Sequence, residues 1–365
     1  MCTDFLKWRF GRYGFAEGQF DCVLMNSPFS GRRERWLKLN TSDLRHIGIK
    51  RPLMAPEEVG FLLRAIRLLR DNGVLIAIVP GSVVAAQSTS WLREALFACG
   101  HIQVVHQLPR HIFPGTETEC YILVFKKSQG HKIRLLNHDL RNPEELCVSE
   151  DDLESEKRLD FGKISSSILL KHLVQTTGSL GWKRVGEIAS VMRGNAHTPF
   201  RGKRGIHTTN FENGAWRRIQ NEVYLQSRND SDSLAHGDLL IKRVGRSSAA
   251  SLGPCVGVAG LQFSDCVFRL RPNDRSTRGT LLLGFRSIIG ANGGKSLLER
   301  GTGVPYIVEQ DIINLVVPMN LKAVFPRRIR EYDDALRRRD YRLMASIEQR
   351  TFRQLELLSK NAKRS

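Results

Sequence analysis

Asn26-Ser27-Pro28-Phe29 is the stretch of this sequence whose residue types and spacing could do chemistry. Phe20 to Met25, just before it, reads as a buried strand, so the four residues stand at a strand end. An amine conjugated into an aromatic ring is a poor nucleophile, because its lone pair is delocalised. Two acceptors set on its two N–H bonds favour a more tetrahedral nitrogen and localise the lone pair. The Asn26 side-chain carbonyl and the Ser27 backbone carbonyl form such a pair. Pro28 stiffens the turn and biases Ser27 toward an extended conformation, and Phe29 offers a ring on which a flat substrate can stack. Preorganised dipoles of this kind lower a barrier without a catalytic base of tuned pKa. The same residues alone would also make a plain Asx-type turn, so the rest of the chain must decide.

The elements around the turn follow a regular order. Thr3-Asp4-Phe5-Leu6 reads as the acidic end of one strand, followed by a connection rich in glycine (Gly11, Gly14, Gly18). Arg32 to Lys50 is a basic polar loop. Glu57 to Arg70 places Val59, Leu62, Leu63, Ile66 and Leu69 at helical spacing, and Asp71-Asn72-Gly73 stops that helix. Val74 to Val79 is a continuous apolar run, as expected of a parallel strand buried on both faces. Ser90 to Cys99 predicts a helix, Gln103 to His106 a strand edge and Tyr121 to Phe125 a further strand. Such alternation argues a doubly wound α/β domain. Asn142 to Asp160 is acidic and aperiodic, a connector with room for one exposed helix.

From Asp4 to about Lys127 the chain resembles the second half of the catalytic domain of the gamma-type adenine-N6 DNA methyltransferases. The resemblance implies S-adenosyl-L-methionine as methyl donor and double-stranded DNA as substrate. Asn26 and the Ser27 carbonyl would accept the target amine's hydrogens, and Phe29 would stack on an adenine flipped out of the duplex. Asp4, Phe5 and Phe61 match the positions that pack around the cofactor's adenine, and Phe113 the aromatic that touches the flipped base from its other side. Ser27 stands where that family normally has proline. The family's glycine-rich loop, which closes over the methionine part of the cofactor, has no counterpart upstream of Asp4. A companion chain supplying that loop is one way to complete such a site.

A second domain begins near Gly181-Trp182, with short strands and frequent glycines. Leu239 to Val244, Cys266 to Leu270 and Asp311 to Pro318 read as strands. Gly181 to Pro318 resembles the target-recognition domain of type I restriction specificity subunits, through Gly181-Trp182-Lys183-Arg184-Val185-Gly186-Glu187-Ile188-Ala189, Gly237-Asp238-Leu239-Leu240-Ile241-Lys242-Arg243-Val244-Gly245 and Gly301-Thr302-Gly303-Val304-Pro305-Tyr306-Ile307. Arg201, Lys203, Arg204, Lys242, Arg243 and Arg246 lie on loops and turns that could meet phosphates and base edges. Ile329 to Lys360 lacks Pro and Gly and predicts one or two helices. From Lys322 onward there are 13 Lys+Arg against 6 Asp+Glu, so one face should be strongly basic.

Composition sets the outer bounds. The 365 residues carry 56 Lys+Arg against 37 Asp+Glu, a formal charge of +19, which implies a polyanionic partner. No 18-residue apolar run and no secretory signal are visible, and the seven scattered cysteines form no Cys-x-x-Cys pair. That pattern argues against a membrane span, a zinc site and a disulfide framework, and fits the cytoplasm. The expected fold class is α/β: a partial Rossmann-like methyltransferase domain (1–130), a connector (131–180), a β-rich α+β target-recognition domain (181–320) and a basic helical tail (321–365). A DNA-binding specificity module with a degenerate catalytic half is the competing expectation, and an RNA or protein methyltransferase sharing the turn is a third.

Overall fold

The computed structural model describes residues 5–6, 16–29, 36–109, 112–113, 118–139, 141–195, 203–212, 215–216, 223–224, 233–255, 259–291, 293–301 and 304–362. Asp4 and Arg201 lie outside them. The chain divides into two compact units, one of residues 1–164 with 301–303, the other of 165–300 with 304–365.

The first unit is built on a six-stranded mixed sheet. Its strands are β1 (Phe20–Asn26), β4 (Leu69–Pro80), β5 (His101–Gln107), β6 (Cys120–Lys126), β7 (Lys132–Leu136) and β8 (Glu145–Ser149), in the order β1-β4-β6-β5-β7-β8. A separate hairpin pairs β2 (Trp36–Leu39) with β3 (Leu53–Pro56). β1 runs parallel to β4, with Leu24 opposite Ile76 and Asn26 opposite Ile78. Helix α1 (Glu57–Leu68) connects them, its Val59, Leu62, Leu63 and Ile66 buried in the same core as Leu75, Ala77 and Val79 of β4. The chain leaves α1 straight into β4, and Asn72, at φ 64°, turns it. Gly73 cannot be larger, because a Cβ there would lie 2.9 Å from the Arg70 carbonyl oxygen and 3.0 Å from that of Phe20.

The apolar run of β4 is buried on one face only. Leu75, Ala77 and Val79 are buried, whereas Ile76 is 37% exposed and its register partner Leu24 is 75% exposed. The run therefore does not mark a strand covered on both sides, at least by the described residues. β4 is also antiparallel to β6, so only part of the sheet is parallel.

The acidic stretch 142–160 holds strand β8 and a 3-10 turn over Glu150–Asp152 where an exposed helix was expected. Its apolar residues Val148, Leu153 and Leu159 belong to the core. One side chain of helix α2 (Ser90–Cys99) clips this stretch in place. Arg93 is completely buried, and all five of its N–H groups are used: Nε and Nη2 donate to the Glu156 carbonyl (3.0 and 2.7 Å), Nη1 to the Val83 carbonyl and Thr89 Oγ1 (3.0 and 3.1 Å), and Nη2 also to the Ala86 carbonyl (3.0 Å). Arg158 adds a two-pronged contact to Asp160 at 2.9 and 2.8 Å. Burial pushes the Asp160 carboxyl up, but Arg158 and the adjoining hydrogen bonds outweigh it and hold its pKa below the usual value. Helix α3 (Phe161–Thr176) follows and continues into the second unit.

The second unit has an antiparallel sheet of β10 (Ala189–Arg193), β11 (Leu239–Lys242), β12 (Gly253–Pro254) and β13 (Val267–Pro272), in the order β10-β13-β11-β12. Its core centres on α4 (Arg278–Ile289), in which Leu281, Leu282, Leu283 and Phe285 are all buried. Asp311 to Pro318 is not one strand. Helix α5 (Glu309–Asn314) precedes β14 (Val316–Pro318), which pairs with β9 (Trp182–Arg184). Ile312 and Leu315, three residues apart, both reach the core, and Asp311 takes a two-pronged contact from Arg300 at 2.6 and 2.7 Å. The tail forms α6 (Pro326–Arg338) and α7 (Tyr341–Ala362), bound to α4 through buried Glu348, which accepts from Tyr332 Oη and Arg286 Nε at 2.7 Å each. No helix among the described residues is long and apolar enough to cross a membrane.

Two expectations follow for the first unit. Arg93→Met removes five hydrogen bonds, among them those to the Glu156 and Val83 carbonyls, so the urea midpoint of this unit should fall by an equivalent of roughly 3 kcal/mol; an unchanged midpoint would show that the clip is dispensable. His46 is mostly buried, and burial together with the nearby Arg67 charge outweighs a Leu63 backbone hydrogen bond and lowers its pKa to about 4. The unfolded chain takes up this proton near pH 6.5 and the folded chain does not, so this contribution to stability is present above that value and is lost as pH falls toward about 4. The loss is at most about 1.4 kcal/mol per pH unit. Thermal midpoints between pH 7 and 4.5 should therefore fall more steeply in the wild type than in His46→Phe.

Candidate functional site

Asn26 is the last residue of β1, and its register with Ile78 puts it at the carboxyl end of the one parallel pair that flanks α1. Side chains alternate along a strand. Asn26 therefore shares the exposed side of the sheet with Leu24, and Ser27 turns inward. Ser27 is 5% exposed and its Oγ has no hydrogen-bond partner. Pro28 is exposed and Phe29 half-buried. An Asx turn closes on the N–H two residues beyond the Asn; that residue is Pro28, which has none. The Asn26 carbonyl is thus not spent on the commonest local turn.

Phe5 and Phe61, 56 positions apart in sequence, come together. Their rings stack with centroids 5.6 Å apart and 12° between planes. Arg64, one turn along α1 from Phe61, donates through Nη1 to the Phe5 carbonyl at 2.8 Å. Gly60 allows the approach, since a Cβ there would lie 3.2 Å from Leu6 Cδ2 and 2.9 Å from Leu37 Cδ1. Arg64 was missed at the sequence level. It lies with Glu57, Phe61 and Arg67 on the less buried stripe of the helix, where an arginine is ordinary, so the sequence carried no signal for it. Glu58 was missed for a similar reason: an acid in a first turn satisfies the helix dipole, yet it is buried and accepts from Ser82 Oγ at 3.3 Å.

Phe113 is half-buried in the connection between β5 and β6. That connection leaves from Gln107, beside Tyr121, and returns at Cys120, opposite Pro80. It therefore stands at the same end of the sheet as Asn26, with β4 between β1 and β6. The structure brings Asn26, Ser27, Pro28, Phe29 and Phe113 to one sheet end.

In the second unit the basic side chains have unequal freedom. Arg243 donates through Nε to the Asp265 carbonyl at 2.6 Å, and Arg193 pairs with the Asp265 carboxylate at 3.0 Å. Lys242 Nζ donates to the Arg246 carbonyl at 3.1 Å, and burial lowers its pKa. Arg246 itself is exposed on a turn that has Gly245 at φ 113° and Ser247 at φ 56°. Lys203 and Arg204 form a two-residue parallel pairing with Val223 and Tyr224. Arg201 and Asp4 fall outside the described residues.

The idle Ser27 hydroxyl makes a checkable statement about the free protein. Leaving such a group buried costs about 1–3 kcal/mol. Ser27→Ala should raise the thermal midpoint, by an equivalent of about 1 kcal/mol. A lower midpoint would mean that the hydroxyl is already bonded.

Residues 7–166 match the family model for N-6 DNA methylases, a span that includes Asn26, Phe61 and Phe113 and is less than half of the chain. No curated protein matches the chain. Among solved structures it is similar to the methyltransferase subunit of a type I restriction-modification system from Streptococcus thermophilus, at 26% identity over 37% of this chain and 29% of that one, TM-score 0.31. It is also similar to the type IIG restriction endonuclease BpuSI, at 13% identity over 87% of this chain and 49% of that one, TM-score 0.36. A third is the type IIL restriction-modification enzyme MmeI in complex with DNA, at 11% identity over 93% of this chain and 53% of that one, TM-score 0.47. The chain spans less than two thirds of the length of each.

Proposed function

We propose that this chain is an adenine-N6 DNA methyltransferase of a restriction-modification or phage-defence system, moving a methyl group from S-adenosyl-L-methionine to a flipped adenine. The observation that carries the reading is the N-6 DNA methylase match over residues 7–166, within which Asn26 ends a strand with its side chain on the exposed side. In this reading the Asn26 side-chain carbonyl and the Ser27 carbonyl accept the two amine hydrogens and steer the nitrogen lone pair out of the ring. Phe29 and Phe113 hold the base. The +19 charge favours a polyanionic substrate.

The Phe5–Phe61 stack fits the adenine end of the cofactor, because it forms a two-ring apolar platform pinned by Arg64. When bound, the cofactor supplies an electrophilic methyl group on a sulfonium. In this reading the glycine-rich loop for its methionine end comes from outside the described residues, from another part of the protein or from a companion chain. Support comes from β1, whose only sheet neighbour among the described residues is β4, and from the exposure of Leu24 beside it. Residues 181–320 act as the target-recognition domain, with Arg246 better exposed to DNA than Lys242 or Arg243.

A second reading, a specificity module with a degenerate catalytic half, draws on serine at position 27, where the resembled family has proline. Transfer of labelled methyl to mixed-sequence duplex DNA separates the two. Activity that Asn26→Ala reduces by about 100-fold or more, the scale of one lost transition-state acceptor, supports the enzyme. Transfer that survives the substitution removes Asn26 from the mechanism. Binding without transfer, even with a companion methylase subunit added, leaves the module.

A further inference from the structure

The turn between α6 and α7 carries an arginine cluster that the candidate site does not use. Between Ala323 and Ser359 all nine basic residues are arginine and none is lysine. Four of them, Arg337, Arg338, Arg339 and Arg342, fall within six positions around the turn, and all four are exposed. Arg339, at φ 57°, closes α6 in the left-handed conformation and reverses the chain. The three nearby acids are engaged, Asp333 by the charges of Arg337 and Arg278. Asp334 pairs with Arg337, and Asp340 caps α7 by accepting from the Leu343 backbone N–H at 3.0 Å.

Cations at a helix C-terminus are favoured by the helix dipole, which accounts for Arg337 and Arg338. It does not account for Arg342, in the first turn of α7, where the dipole disfavours a cation. A face built only for solubility also needs no preference for guanidinium over ammonium. Guanidinium forks do match phosphate oxygens two at a time. We propose that the α6–α7 turn is a sequence-independent docking site for the phosphate backbone of duplex DNA, separate from base recognition. The proposal rests on DNA being the substrate.

The test is binding of the full chain to two unrelated duplex sequences across a salt series, with Arg337, Arg338 and Arg342 changed together to Gln and, separately, to Lys. Each phosphate contact contributes about 0.9 to the slope of log affinity against log salt. The Gln triple variant should lose up to about 2.7 of that slope and bind roughly ten- to hundred-fold more weakly at 0.15 M salt, alike on both sequences. The Lys triple variant should keep the slope. A Gln variant with wild-type slope and affinity overturns the proposal. So does equal weakening by Gln and Lys, which would trace the effect to packing and not to charge. Failure of the methyltransferase reading shows elsewhere, as transfer that persists in Asn26→Ala, and leaves the slope measurement standing.

Discussion

The parallel pairing of β1 with β4 is the constraint on which the rest of the first unit depends. It fixes Asn26 opposite Ile78 and so decides which side of the sheet each residue of the turn faces. A slip of one residue would bury Asn26 and expose Ser27, because side chains alternate. The register is held from several directions. Gly73 permits the close return beside Phe20, α1 covers the inner face, and β6 pairs along the far edge of β4. The carboxyl end of this pair receives the Asn26 turn and, across β4, the connection that bears Phe113.

Buried arginines do much of the remaining organisation. Arg93 binds three carbonyl groups and a hydroxyl with its five donors, which turns an acidic stretch into part of the sheet-bearing unit. Arg300 with Asp311 and Arg286 with Glu348 play the same part in the second unit. The positive charge of this protein therefore has two components. Some guanidiniums are tied to acids within the unit, as are Arg193 and Arg243 at Asp265, while those of the α6–α7 turn are all exposed and only Arg337 among them is described in an ion pair, with Asp334. The net charge alone does not distinguish them.

Phe5, Phe61 and Arg64 illustrate how a site depends on contacts between distant segments. Each has an ordinary local explanation: a strand-end aromatic, a helix aromatic, a basic residue on an amphipathic helix. Their assembly into a pinned ring stack brings together segments 56 residues apart, with Gly60 leaving room for the Leu6 side chain on α1.

The sequence by itself determined the elements whose signals are local. The strand expected over Phe20–Met25, the helix opening at Glu57 and the helical tail follow from apolar spacing, whereas the helix ends at Leu68 and Asp71-Asn72-Gly73, expected to stop it, lies within β4. The singular character of Asn26-Ser27-Pro28-Phe29 is local as well. Tertiary structure decided what local pattern cannot encode. The run Val74–Val79 is apolar throughout, but whether both its faces are covered depends on what packs there, and Ile76 is left exposed. The stretch 142–160 looked solvent-bound by charge, but a buried guanidinium 63 residues away takes up its Glu156 carbonyl. Asp311–Pro318 read as one strand, but the Arg300 contact and the core positions of Ile312 and Leu315 fold its first half into a helix. Arg243 and Arg246 are alike in sequence, and only the placement of Asp265 ties one down and leaves the other exposed. The physical reason is common to all four: burial and pairing are properties of neighbours in space, and a linear pattern records only neighbours along the chain.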